Sequence, residues 1–168
     1  MRSFMATTTF CCAVALRVAA LQAAELPGTS MPDVVTISGK TLRLNGEGVL
    51  KKFFFFKVYS VGLYLQNPTQ DAQAAITTDE AKRIVIEMLR DVSRQDFVDA
   101  LERGMKRNSP QAMPALRARL DRLKDVLPAL KKGNVLDFTY LPGAGTLLRG
   151  QVREITIPGK DFADALFS

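Results

Sequence analysis

The chain contains no histidine and no tryptophan, and its two cysteines are adjacent, Cys11 and Cys12. The missing histidine excludes a Ser-His-Asp triad, a Cys-His dyad and any His-ligated zinc centre. Acid–base work therefore falls to carboxylates, lysine or tyrosine. Everything beyond residue 12 lacks a thiol, and so lacks a disulfide or a thiolate metal site. No metal or organic cofactor is expected. Charge of one sign is also scarce. The balance is 23 Lys+Arg against 17 Asp+Glu, a net +6 spread over 168 residues. That is too diffuse for the basic footprint of a nucleic-acid binder. It permits weak attraction to an anionic membrane surface or an anionic ligand. The length suits one domain, and 47% hydrophobic residues supply a real core.

Residues 1–24 read as a secretory signal peptide. Arg2 gives a positive start, residues 4–16 form an apolar run, and Leu21-Gln22-Ala23-Ala24 offers a small-residue cleavage zone. The run is shorter than the roughly 20 apolar residues of a membrane span. The competing reading is a buried N-terminal helix or an uncleaved anchor. Cleavage there removes Arg2 and Arg17 and both cysteines, leaving a mildly basic domain exported to the periplasm or the medium. Residues 25–33, with Pro27, Gly28 and Pro32, read as a linker, and 34–168 as the folded domain.

Within that domain, Val34–Ile37 and Thr41–Leu44 flank Gly39 as a hairpin, and Gly46 with Gly48 brackets a second bend. Residues 53–66 (FFFFKVYSVGLYLQ) are apolar on both alternating faces, which predicts a strand covered on both sides. Residues 71–76 suggest a short helix and 82–89 a strand. Ser93 and Asp96 fit a capping box that opens a helix with Phe97, Ala100, Leu101 and Met105 on one side. A second helix from about Met113 carries Leu116, Leu120, Leu123, Leu127 and Leu130, with Pro128 shortening or kinking it. Lys131-Lys132-Gly133 resembles its C-terminus. Three strands, 134–141, 146–149 and 152–157, and a helix from residue 160 close the chain. Strands, then helices, then a meander predict an α+β fold with a mainly antiparallel sheet.

Lys57 stands out inside the apolar strand, on the same alternating face as Tyr59. A lysine so placed needs a partner or a route to water. One reading is a cation gripping a carboxylate at the wall of an apolar cavity. The other is a structural pair with an acid such as Glu87. Lys51 and Lys52, at the strand entrance, read as solvated charge. The Phe53–Phe56 cluster serves either a core or a pocket.

Three stretches together resemble the chalcone isomerase-like family. They are LNGEGVLKKF…KVYSVGLYL over 44–65, RDVSRQDFVDAL over 90–101, and FTYLPGAG from 138 running on to IPGKDFADALF at 157–167. The resemblance covers about residues 34–168. It implies an open-faced β-sandwich, a large antiparallel sheet packed against a layer of helices with a hydrophobic cleft between them. It implies two activities: cyclisation of a chalcone to a flavanone, or fatty-acid binding without isomerisation. By resemblance, the family arginine falls at Leu50, its catalytic threonine at Tyr59, and its active-site tyrosine at Phe97. Its nearby lysine and asparagine fall at Ala100 and Gly104. Losing one preorganised donor to an oxyanion costs about 3–4 kcal/mol. The expected function is therefore binding of a hydrophobic ligand such as a fatty acid, without catalysis. The expected ligand-binding residues are Leu50, Phe55, Lys57, Tyr59, Phe97 and Leu101, and Tyr59 is the one catalytic candidate. The alternatives are an isomerase of the chalcone-to-flavanone type on another substrate, and a non-catalytic interaction domain with a filled core.

Overall fold

The computed structural model describes residues 31–52 and 56–168. The leader, most of the linker and Phe55 lie outside these residues. Seven strands alternate with four helices: β1 (Val34–Ile37), β2 (Lys40–Lys52), β3 (Phe56–Leu65), α1 (Ala72–Thr77), β4 (Lys82–Met88), α2 (Arg94–Asn108), α3 (Met113–Val126), β5 (Val135–Leu141), β6 (Gly145–Gly150), β7 (Ile155–Ile157) and α4 (Lys160–Phe167). The strands form one antiparallel meander in the order β1 to β7, curled into a half-barrel. The α+β, sheet-on-helices expectation describes this architecture.

The leucine stripe of α3 makes the larger core. Leu116, Leu120 and Leu123 recur at helical spacing and are buried against Met88, Leu136, Phe138, Leu148 and Ile157 of the sheet, and against Phe162 of α4. A smaller cluster lies on the sheet's other face, where Leu42, Tyr64, Val85 and Val135 meet Val35, Ile37 and Leu44. The Ser93 cap forms as expected, its hydroxyl accepting from the Asp96 N–H at 3.1 Å.

Three expectations need correction. Gly46 and Gly48 do not bracket a bend. Both lie inside β2, and the glycines accompany a register shift between Leu44 and Gly46. Lys131-Lys132-Gly133 is not a helix C-terminus, because α3 ends at Val126 ahead of Pro128. Those residues form a turn held by Asp91, which accepts from Lys131 Nζ and the Lys132 N–H, both at 2.9 Å. Finally, β3 is buried at Gly62, Tyr64 and Leu65 but only half-buried from Val58 to Val61. The helix layer leaves that end of the strand open.

Glu102 ties the two central helices. It meets Lys106 at 2.8 Å on its own helix, and Lys124 at 3.1 Å and Arg117 at 3.6 Å on α3. Hydrogen bonds from Lys106 and then Lys124 hold its carboxyl down to about 2. A depressed carboxyl contributes stability above its ordinary range and loses it as pH falls. Glu102→Gln should therefore cost about 1 kcal/mol at neutral pH. That cost should shrink progressively below pH 4.5 and vanish near pH 2, as urea unfolding across that window will show.

Candidate functional site

The half-covered end of β3 is where a cleft opens. On the helix-facing side of the sheet, Leu50 of β2 pairs with Tyr59 of β3, which pairs with Met88 of β4. This row of three side chains floors a cleft of about 440 Å³. The opposite wall is α2. Asp96, Ala100 and Arg103 recur at helical spacing along one stripe, with Phe97 beside them. Arg90, Asp91 and Val92 close one end, and Lys51 and Val58 stand at the ribbon side. The volume lies within the roughly 300–1,000 Å³ range of small-molecule sites.

The floor is apolar and the edge is charged. Phe97 is buried at 7% exposure, whereas Leu50 is 47% exposed and stands at the mouth. Burial pushes the Tyr59 phenol up, so it remains a neutral donor across the physiological range. Lys51, Arg90 and Arg103 supply cations, and Asp91 and Asp96 supply acids. Asp91 is already engaged by the Lys132 N–H and the Lys131 ammonium, which hold its carboxyl below the ordinary range. Asp96 accepts from the Ser93 hydroxyl at 2.6 Å. Lys51 and Arg103 are thus the groups best placed to meet an anionic head.

Of the expected site residues, Leu50, Tyr59 and Phe97 come together around this cleft. Leu101 lies one step round α2 and packs on the core, so Ala100 takes the wall position instead. Lys57 is exposed and does not line the cleft. The reason is a bulge: Leu50 pairs with Tyr59, but Lys51 pairs with Lys57, leaving Val58 as the extra residue. The bulge breaks the alternation that put Lys57 on the Tyr59 face. Glu87 is no partner for that face either, because it stands opposite Ser60 on the other side of the sheet. Lys51 occupies the place the sequence suggested for Lys57. Arg90 and Arg103 carry no sequence signal apart from their positions beside the capping box and along the α2 stripe.

A second hollow of about 230 Å³ lies beside α1 and includes Lys82. That lysine is buried and already donates to the carbonyls of Ala75 and Ile76 at the C-terminal end of α1. Desolvation holds its pKa below the ordinary lysine value. Its place is structural. Among the described residues, no group of three His, Cys, Asp or Glu side chains is placed to hold a metal ion.

Comparisons with known proteins bear on the whole fold. The model of the chalcone isomerase-like family matches residues 23–168. Among solved structures, a fatty-acid binding protein of Arabidopsis thaliana superposes with a TM-score of 0.60 at 14% identity, covering 80% of each chain. At that identity the likeness speaks for the fold. No curated protein sequence matches.

Proposed function

The chain belongs to the chalcone isomerase-like family, and from that premise we propose that its cleft binds one small hydrophobic molecule with an anionic head, of the fatty-acid class, without transforming it. The carrying observation is the cleft itself: an apolar floor of Leu50, Tyr59, Met88 and Phe97 under a mouth bearing Lys51, Arg90 and Arg103. The structural neighbour is described as a fatty-acid binding protein, which supports the ligand class. The two positions where the family resemblance places an arginine and a tyrosine are Leu50 and Phe97. Both line the cleft, and neither can donate a hydrogen bond. A site that must stabilise a developing oxyanion is left with the Tyr59 phenol as its surviving hydroxyl. The leader pattern of residues 2–24 supports placing this binding outside the cytoplasm.

Native mass spectrometry of the purified protein, with extraction of anything bound, tests the proposal. A stoichiometric apolar acid supports it. An empty protein that also fails to take up palmitate overturns it and favours a filled interaction domain. Turnover of a chalcone would favour the isomerase reading. Ala100→Trp places an indole into the cleft from the α2 wall. It should weaken palmitate binding at least tenfold in a fluorescence titration, with little change in Tm, because Ala100 is exposed.

A further inference from the structure

The mouth of the cleft is formed by a ribbon that the rest of the sheet does not support. On the outer side of β2, β1 pairs only with Lys40 to Arg43. On the far side of β3, pairing with β4 begins at Tyr59, and the last backbone bond runs from the Leu89 N–H to the Val58 carbonyl. The Lys51–Lys57 and Lys52–Phe56 pairs therefore continue as two strands alone. Val49 and Leu50 are consecutive, so they point to opposite faces of β2. Yet Val49 is 44% exposed and Leu50 is 47% exposed. Among the described residues, each face is left half-open at this level. Lys51 and Lys57 stand exposed beside them. Between Glu47 and Asp71 the chain carries Lys51, Lys52 and Lys57 and no acid.

We propose that Val49, Leu50, Lys51 and Lys57 of this ribbon seat the protein on the surface of an anionic phospholipid bilayer. A protein partner with a flat surface covers one face of a ribbon. A fluid interface covers both faces at once. Val49 and Leu50 then enter the headgroup–acyl boundary, while the lysine stems reach back to the lipid phosphates. Leu50 and Lys51 also line the cleft, so the cleft opens where the ribbon meets the lipid. The docking stands independently of which ligand the cleft holds.

Co-sedimentation of the full chain with vesicles of phosphatidylcholine, with and without phosphatidylglycerol, tests it at low and high salt. The parent should bind the anionic vesicles more tightly, and salt should weaken that binding. The double variant Val49→Ser, Lys57→Glu should bind them about tenfold or more weakly, and Lys57→Gln about fivefold more weakly. Neither Val49 nor Lys57 lines the cleft, so palmitate affinity should persist in both variants. This separates failure of the docking from failure of the ligand-binding reading. The N-terminal apolar run is common to all the chains compared. Equal binding by parent and variants, or no preference for anionic vesicles, overturns the proposal. A loss of dimers in the double variant without any vesicle binding assigns the ribbon to contact between copies and also overturns it.

Discussion

Asp137→Ala is expected to lower stability by about 3–5 kcal/mol, enough to threaten folding of a domain with ordinary marginal stability. Asp137 lies on the sheet face away from the helices, with its Oδ2 2.9 Å from Arg83 Nη2. The two side chains are 6% and 4% exposed. The Thr139 hydroxyl donates to the other carboxylate oxygen at 2.8 Å, and the guanidinium lies 5.6 Å from the Tyr64 ring centroid. Removing the carboxylate leaves a buried guanidinium that cannot shed its proton and has lost its partner at 2.9 Å. Arg83 Nε already lacks a hydrogen-bond partner among the described residues, so the group has little reserve. The double variant Arg83→Met, Asp137→Leu removes both charges and should recover most of the loss. Urea unfolding of the three variants decides the matter. A single variant that costs under about 1 kcal/mol would mean that water reaches this face and solvates the arginine. The pair is a specificity device in form: it fixes β4 against β5 in one register, and a one-residue slip would separate the charges.

That pair was not legible in the sequence, and the reason is instructive. Arg83 and Asp137 are 54 positions apart, and each sits in a stretch that reads as a strand from its β-branched neighbours alone. Only the register, with Arg83 opposite Thr139 and Val85 opposite Asp137, brings them together. Local signals fared better. The Ser93 cap, the α3 leucine stripe and the stop before Pro128 each depend on residues within a few positions of one another. Period-two alternation located β3 but misplaced Lys57, because a single bulge shifts the facing of every residue beyond it. The cleft was half legible for the same reason. Alternation pointed to Tyr59, and the family resemblance to Leu50 and Phe97. Arg90, Val92 and Asp91 reach the site through the segment between β4 and α2, whose path no periodicity describes.

A comparable loss, about 3–5 kcal/mol, is expected from Gly150→Ala, the smallest side-chain addition possible. Gly150 ends β6 opposite Leu136 with φ +129°, a backbone region that L side chains rarely adopt. A Cβ built there would lie 1.9 Å from the Val135 carbonyl oxygen and 3.0 Å from its carbon. Both obstacles are backbone, so no rotamer change relieves the overlap. Either β6 withdraws from β5 or the start of β5 moves. The second route reaches the cleft. Asn134, next to Val135, accepts from the Met88 N–H at 2.8 Å, and the Gly133 N–H donates to the Met88 carbonyl at 2.7 Å. Met88 is part of the cleft floor. Gly150→Ala should therefore weaken palmitate binding as well as lower the urea midpoint, although residue 150 does not line the cleft. Gly143→Ala is the control. Its φ is +77°, but nothing lies within 4 Å of the added carbon. It should cost only about 1–2 kcal/mol from the left-handed backbone and leave affinity unchanged. If the two variants prove equally mild, the β5–β6 junction yields more readily than its backbone contact implies, and Met88 is positioned from the β3 side instead.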